Sequence, residues 1–240
     1  MFYQALATDY DGTLAKDGRV DDATVMALRR LKQSGRRLIL VSGRERTDLQ
    51  RVFPYVDLFD RLVLENGGVL VEPGKASGVL AEPPPQAFIE RLRQRGVSPL
   101  FHGDVIVSTW EPGETIVREA IRDLGLSHQV ILNKGAVMVL PHGVDKASGL
   151  QAALADLQLM PPNVVAIGDA ENDMAMFAGC GCAVAVANAL PSIKVCADVV
   201  TTHARGAGVV EIIERLLAND LAEVRPSRTR SAARARCLEP

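Results

Sequence analysis

The sequence has no charge excess of either sign, no paired cysteine spacing and no nucleotide-cradling glycine loop, and each absence removes a class of function. Its 27 Lys and Arg stand against 29 Asp and Glu, giving a net charge of −2 and a pI near 6.1. Without a basic field, nucleic acid is not favoured as a partner, and a small molecule fits better. The four cysteines, Cys180, Cys182, Cys196 and Cys237, form no C-x-x-C pair. A structural zinc site is therefore disfavoured, and reduced thiols are expected. No G-x-x-x-x-G-K-[ST] run exists, and Gly179-Cys180-Gly181-Cys182-Ala183-Val184 lacks the third glycine of a dinucleotide turn. The segment from Met1 to Ala7 has no basic region and meets Asp9 after too few apolar residues for a signal peptide. A cytoplasmic location is expected, with no membrane span.

What is present is an ordinary globular composition, with 48% apolar and 23% charged residues in 240. That length accommodates one α/β core of about 150 residues and a small second unit. Short apolar runs alternate with helical patterns, the arrangement of parallel strands joined by crossover helices. The clearest buried strands are 3–8, 37–41, 61–64, 164–167 and 183–186. Val25, Leu28 and Leu31 form a helical stripe that stops at Gly35, and Thr47-Asp48-Leu49-Gln50 has the spacing of a capping box that would start the next helix. From Glu82 the pattern changes to helix, two strands, helix, two strands. This αββαββ order predicts a small antiparallel sheet with helices on one face, inserted into the parallel-sheet domain. The expected division is a discontinuous core over 1–81 and 141–219, a cap over 82–140, and a disordered, Arg-bearing tail over 220–240.

Four short motifs carry chemistry. Asp9-Tyr10-Asp11-Gly12-Thr13 follows the first strand, placing two carboxylates where open α/β sheets form their ligand crevice. A calcium loop of the D-x-D type fails, because its sixth and twelfth positions would be Leu14 and Val20. Ser42-Gly43-Arg44 ends the second strand with a hydroxyl and backbone N–H groups suited to phosphate oxygens. Lys146 falls at the start of a helix, where a cation opposes the helix dipole unless an anion offsets it. Gly168-Asp169-Ala170-Glu171-Asn172-Asp173 adds further carboxylates after the 164–167 strand. Taken singly, each motif also reads as a turn, a cap or a solvated charge. Together, Asp9, Asp11 and Asp169 make a plausible site for a hard cation, because gathered carboxylates repel unless neutralised and oxygen ligands select magnesium over zinc.

In this order the motifs D-Y-D-G-T, S-G-R, K and G-D-A-E-N-D resemble the haloacid dehalogenase-like superfamily over about residues 1 to 217. The inserted unit looks like the smaller C2B cap of its Cof-like phosphatases, and Asn66-Gly67-Gly68 resembles a turn seen there. An aspartate at the position of Asp11 is kept by the phosphatases of that family and not by its dehalogenases. The resemblance implies a Rossmann-like core and a magnesium-dependent phosphomonoester hydrolase. Asp9 would be the nucleophile and form an aspartyl-phosphate, and Asp11 would give a proton to the leaving alcohol and then activate water. Ser42, Gly43, Lys146 and Asn172 would hold phosphoryl oxygens. Asp9, the Asp11 carbonyl and Asp169 would hold Mg2+, with Asp173 acting behind them. A sugar phosphate or a phosphoglycolate-like acid is the implied substrate class. A phosphomutase of the same superfamily and a non-catalytic regulatory protein are the alternatives. In the cap, His102, Trp110, Arg118, His128 and Lys134 could meet a small anion, but none of them is counted among the site residues. The oligomeric state has no signal in the sequence.

Overall fold

The computed structural model describes residues 1–224. Six parallel strands form the core of an eight-stranded sheet: β1 (Ala5–Asp9), β2 (Arg37–Val41), β3 (Arg61–Leu64), and, after the inserted unit, β10 (Val164–Gly168), β11 (Cys182–Ala185) and β12 (Val199–Val200). Two antiparallel strands, β4 (Val69–Val71) and β5 (Ser77–Val79), extend one edge, so the order is β12-β11-β10-β1-β2-β3-β4-β5. The short β4–β5 hairpin and β12 carry too few alternating residues to be read as strands in the sequence. Every residue of β1 and β10 is buried, as both faces of the sheet are covered.

The helices α1 (Asp22–Gln33) and α8 (Arg205–Asn219) pack together, while α5 (Lys146–Asp156) lies on β2, β3 and β4 beside α6 (Met174–Ala178). Helix α1 begins because the Asp21 carboxylate accepts a hydrogen bond from the Thr24 N–H at 2.7 Å, a cap that contributes about 1 kcal/mol. It buries Val25, Leu28 and Leu31, each stabilising by roughly 1.5–3 kcal/mol. Helix α2 (Arg46–Val52) starts one residue before the anticipated box, with Glu45 as N-cap and no side-chain capping bond, so Thr47 and Gln50 do not form the reciprocal pair. The short α7 (Pro191–Cys196) opens on proline and connects β11 to β12.

The inserted unit runs α3 (Gln86–Gln94), β6 (Phe101–His102), β7 (Val107–Trp110), α4 (Glu114–Asp123), β8 (His128–Asn133) and β9 (Ala136–Pro141). Its four strands form a separate antiparallel sheet ordered β6-β7-β9-β8. Phe88, Leu92, Val107, Val117, Ala120 and Val139 make its own small core. The fold is thus a parallel-sheet α/β core with a small antiparallel cap.

Two expectations need correction. Disorder does not begin at residue 220: Leu221 and Val224 are buried, and the Asp220 carboxylate accepts from Phe2 N and Tyr3 N and pairs with Arg36 at 3.0 Å. Those ties use charge and burial that a periodicity reading does not see. The remainder of the expected tail, 225–240, lies outside the described residues. Cys180 and Cys182 carry thiols, as expected, whereas Cys196 is disulfide-bonded, against that expectation.

Candidate active site

The register of the sheet builds the site. Asp9 pairs with Val41, Thr8 with Ile167, and Gly168 with Ala185, so the carboxyl ends of β1, β2, β10 and β11 end side by side. The chain winds from β1 through β2 to β3 on one side and from β10 through β11 to β12 on the other. The crevice therefore opens beside β1, at the switch point of an open α/β sheet.

Asp9 closes β1 and is buried. The Lys146 ammonium, also buried, lies 2.6 Å from Asp9 Oδ1 and 2.7 Å from Asp173 Oδ1. Lys146 is held there as the first residue of α5, whose N-cap Asp145 and Ser148 form a reciprocal capping box. The cation at this helix start is thus offset by two carboxylates. Gly149, one turn on, lets α5 settle against Gly67, since a Cβ there would lie 2.5 Å from the Gly67 Cα. Asp173 uses its other oxygen to accept the N–H groups of Asp169 and Ala170 at 2.8 and 3.0 Å. Burial raises the carboxyl of Asp9 above its ordinary range, against the attraction of Lys146, and the negative charge of Asp173 adds to the rise. The ammonium of Lys146 is itself raised: burial opposes its charge, but two flanking carboxylates more than compensate.

Asp169 follows β10 and is buried; Lys134 from the cap reaches it at 2.7 Å, and the Asn188 and Thr13 side chains lie 3.4 Å away. Burial raises Asp169 as well, partly countered by Lys134. Gly12, at φ +89°, turns the chain beneath this carboxylate: a Cβ there would sit 2.3 Å from Asp169 Oδ2. Asn188 also donates to the Gly12 carbonyl at 2.8 Å, tying the two loops together.

Asp9, Asp169 and Asp173 present oxygens within 4.8 Å of one another, the arrangement in which a metal ion could be held. The donors are all oxygen, and the two carboxylates raised by burial are electrostatically under-compensated, so the residues fit a hard divalent cation. The carboxylate of Asp11 does not join this group, which corrects one reading of the D-x-D motif. It is forked by Arg44, at 2.7 and 2.8 Å, and its side chain is half exposed. The contribution assigned to Asp11 by resemblance was its carbonyl oxygen, which the fork leaves untouched. Asp173 has both oxygens engaged, one by Lys146 and the other by backbone amides.

Ser42 is buried and its Oγ accepts the Arg44 N–H at 3.1 Å, while Gly43 lines the cavity. Asn172 lines it too, donating to Asn66 Oδ1 at 3.2 Å; its own Oδ1 is buried with no protein partner. The cavity, about 640 Å³, lies between core and cap, whose wall brings Phe101, Trp110, Asn133, Lys134 and Met138 to face Asp9. Of the cap residues singled out in the sequence, Trp110 and Lys134 reach this space, whereas Arg118 pairs with Glu114 on α4. Arg44, Asn188 and Glu65 are neighbours of the site that were not counted among its candidate residues, although Arg44 belongs to the Ser42-Gly43-Arg44 motif. Asn188 was accessible in principle, because it lies just beyond the end of β11. Glu65 was not: its buried carboxylate accepts the N–H groups of Asp104, Val105 and Ile106, fastening a cap loop to the core 39 to 41 residues away.

A buried aspartate at the tip of the first strand, a lysine bridging two carboxylates and a cap closing over them make an arrangement suited to phosphoryl transfer. The sequence profile of the haloacid dehalogenase-like hydrolases matches residues 6–97 and 111–213. A phosphoglycolate phosphatase of Methanothermobacter thermautotrophicus is 32% identical over 89% of this chain and 99% of its own length. One from Metallosphaera sedula is 31% identical, over 88% and 98%. Among solved structures, a Thermoplasma acidophilum protein superposes with a TM-score of 0.75 at 18% identity, over 89% of this chain and 98% of its own. A subclass IIB sugar phosphatase also reaches 0.75, at 16% identity and the same coverage. The chain belongs to the haloacid dehalogenase-like hydrolase family, and within it is a phosphatase. Among the described residues no helix is long and apolar enough to cross a membrane.

Proposed function

We propose that this protein is a magnesium-dependent, cytoplasmic phosphomonoesterase that hydrolyses a small phosphorylated acid of the phosphoglycolate type through an aspartyl-phosphate on Asp9. The observation that carries the reading is the Asp9–Lys146–Asp173 bridge. It fixes one oxygen of a strand-end carboxylate and leaves the other for attack on phosphorus. The names of the relatives favour a phospho-acid over a sugar phosphate.

In this reading Asp9 attacks the phosphorus, the ester P–O bond breaks, and Asp11 protonates the departing alkoxide. Asp11, now a carboxylate, takes a proton from water, whose oxygen attacks the phosphorus and releases Asp9 and phosphate. Arg44 holds both Asp11 oxygens, so substrate entry must open that pair for Asp11 to reach the leaving oxygen. Lys146, the Gly43 N–H, the Ser42 hydroxyl and the Asn172 side chain neutralise and position the phosphoryl oxygens. Magnesium, held by Asp9, Asp169 and the Asp11 carbonyl, would supply charge stabilisation for those oxygens and keep Asp9 ionised. Asp173 orients Lys146 and the Asp169 loop.

The test is phosphate release from 2-phosphoglycolate with magnesium, repeated after chelation and with Asp9→Asn. Activity that requires the metal and falls at least about a thousandfold in the variant is expected. Full activity in Asp9→Asn would overturn the mechanism. Turnover of neutral phosphate esters but not of 2-phosphoglycolate would overturn the substrate class alone.

A further inference from the structure

The cavity wall contributed by the cap carries a single cation among the described residues. Phe101, Ile106, Ser108, Trp110, Ala136 and Met138 supply apolar or neutral surface, and Lys134 supplies charge. The backbone aims Lys134 inward: it occupies the β8–β9 turn at φ +49°, followed by Gly135 at φ +85°. Its Nζ lies 2.7 Å from Asp169 and 2.9 Å from where a Cβ on Gly12 would be, so the ammonium overhangs the Asp11-Gly12 turn. The core cations lining the cavity are already engaged by core acids: Lys146 by Asp9 and Asp173, Arg44 by Asp11 and Asp48, and Arg51 by Asp48.

We infer that Lys134 is a specificity-determining residue that binds the carboxylate of the substrate's leaving group. The inference rests on the phospho-acid reading above and adds the residue that reads the acid. Asp169 is a ligand that a divalent cation claims, and an ammonium beside that cation is then repelled. Lys134, half exposed at the tip of a turn and on a long flexible stem, is then able to turn to another anion within a few ångströms of the same place. A carboxylate attached one carbon from the phosphoester oxygen supplies it. Lys134 thereby exchanges one carboxylate for another as metal and substrate enter. A neutral leaving group offers nothing in that exchange, and this is the source of selection.

The experiment compares kcat/KM for 2-phosphoglycolate and for 2-hydroxyethyl phosphate, the same ester with a neutral hydroxymethyl group in place of the carboxylate, in wild type, Lys134→Met and Lys134→Arg. The wild type is expected to favour the acid, Lys134→Met to lower the ratio of the two by about tenfold or more, and Lys134→Arg to restore most of it. A second arm titrates Mn2+ into the metal-free proteins by calorimetry. Lys134→Met should bind several-fold more tightly, since the ion no longer displaces an ammonium from Asp169. An unchanged ratio in Lys134→Met, or an unchanged Mn2+ affinity, overturns the inference while leaving the phosphatase reading intact. A wild type with no preference for the acid overturns the substrate class and the inference with it.

Discussion

The core wall and the cap wall of the cavity face each other across a few ångströms yet are built on opposite principles. On the core side Asp9, Lys146, Asp169 and Asp173 are all buried, and each engages at least one other member of the site or its supporting backbone. On the cap side Phe101 and Trp110 stand about half exposed, and Lys134 has 46% of its side chain in solvent. Buried charges held by direct partners keep one geometry, because any displacement leaves a charge unpaired in a low-dielectric interior. Exposed side chains on a four-stranded sheet can be exchanged at little cost to the fold. On the function proposed above, chemistry falls to the rigid wall and selection to the permissive one.

The largest expected effect breaks the rigid wall. Lys146→Met leaves Asp9 and Asp173 without their shared cation and should destabilise the protein by about 3–5 kcal/mol, measured by denaturant unfolding. The same change at Lys134, on the exposed wall, should cost under about 1 kcal/mol. Equal losses at the two lysines would contradict the contrast between the walls.

Next in size is the joint between the walls. Glu65→Ala removes the acceptor of three cap amides, two of them buried bonds, and should cost about 2–4 kcal/mol. Hydrogen exchange should show the 104–106 amides opening well before the core strands do. Amides there that stay protected would mean that the cap is held by its packing alone.

The contrast also explains what the sequence could and could not disclose. Strand-end motifs such as Asp9-Tyr10-Asp11 and Gly168-Asp169 are legible because a short apolar run announces the strand, and the chemistry follows it in the chain. The αββαββ order of the cap was legible for the same reason, since hydrophobic period is a local property. Glu65 and the contact Lys134 makes with Asp169 were not, because they bring together residues 39 or more and 35 positions apart. Lys134 was one of five cap residues that could meet a small anion, and nothing in its Asn-Lys-Gly turn set it apart from the other four. Arg44 belonged to a recognised motif, but only the folded chain shows that it forks Asp11. The capping box at Thr47 failed because helix α2 begins at Arg46, which puts Thr47 inside the helix instead of at its N-cap.

A smaller effect appears in the pH dependence of stability without metal. Asp9 is pushed up from the ordinary 3.8 to about 7, chiefly by burial. An acid raised in the folded state is disfavoured as an anion there, so its contribution is fully present below pH 3.8 and is lost as pH rises toward 7. Metal-free protein should accordingly unfold at a lower temperature at pH 8 than at pH 5.5. Saturating magnesium, which favours the ionised carboxylate, should shrink that difference and release protons on binding. A metal-free protein whose stability rises across this interval would show that Lys146 alone suffices to keep Asp9 ionised.

The smallest effect on the fold tests the permissive wall directly. Trp110 ends β7 opposite Ala136, is about half exposed and lines the cavity. Trp110→Ala should leave the unfolding free energy within roughly 0.5 kcal/mol, as for other exposed positions away from special structure. Its indole face can stack on an aromatic leaving group, whereas a two-carbon acid offers no ring to cover. The variant should therefore raise KM for an aryl phosphate several-fold while moving that for 2-phosphoglycolate much less, with kcat for both nearly constant. A fall in kcat on both esters would mean that Trp110 helps to position the nucleophile's surroundings, and the division of labour between the two walls would have to be redrawn.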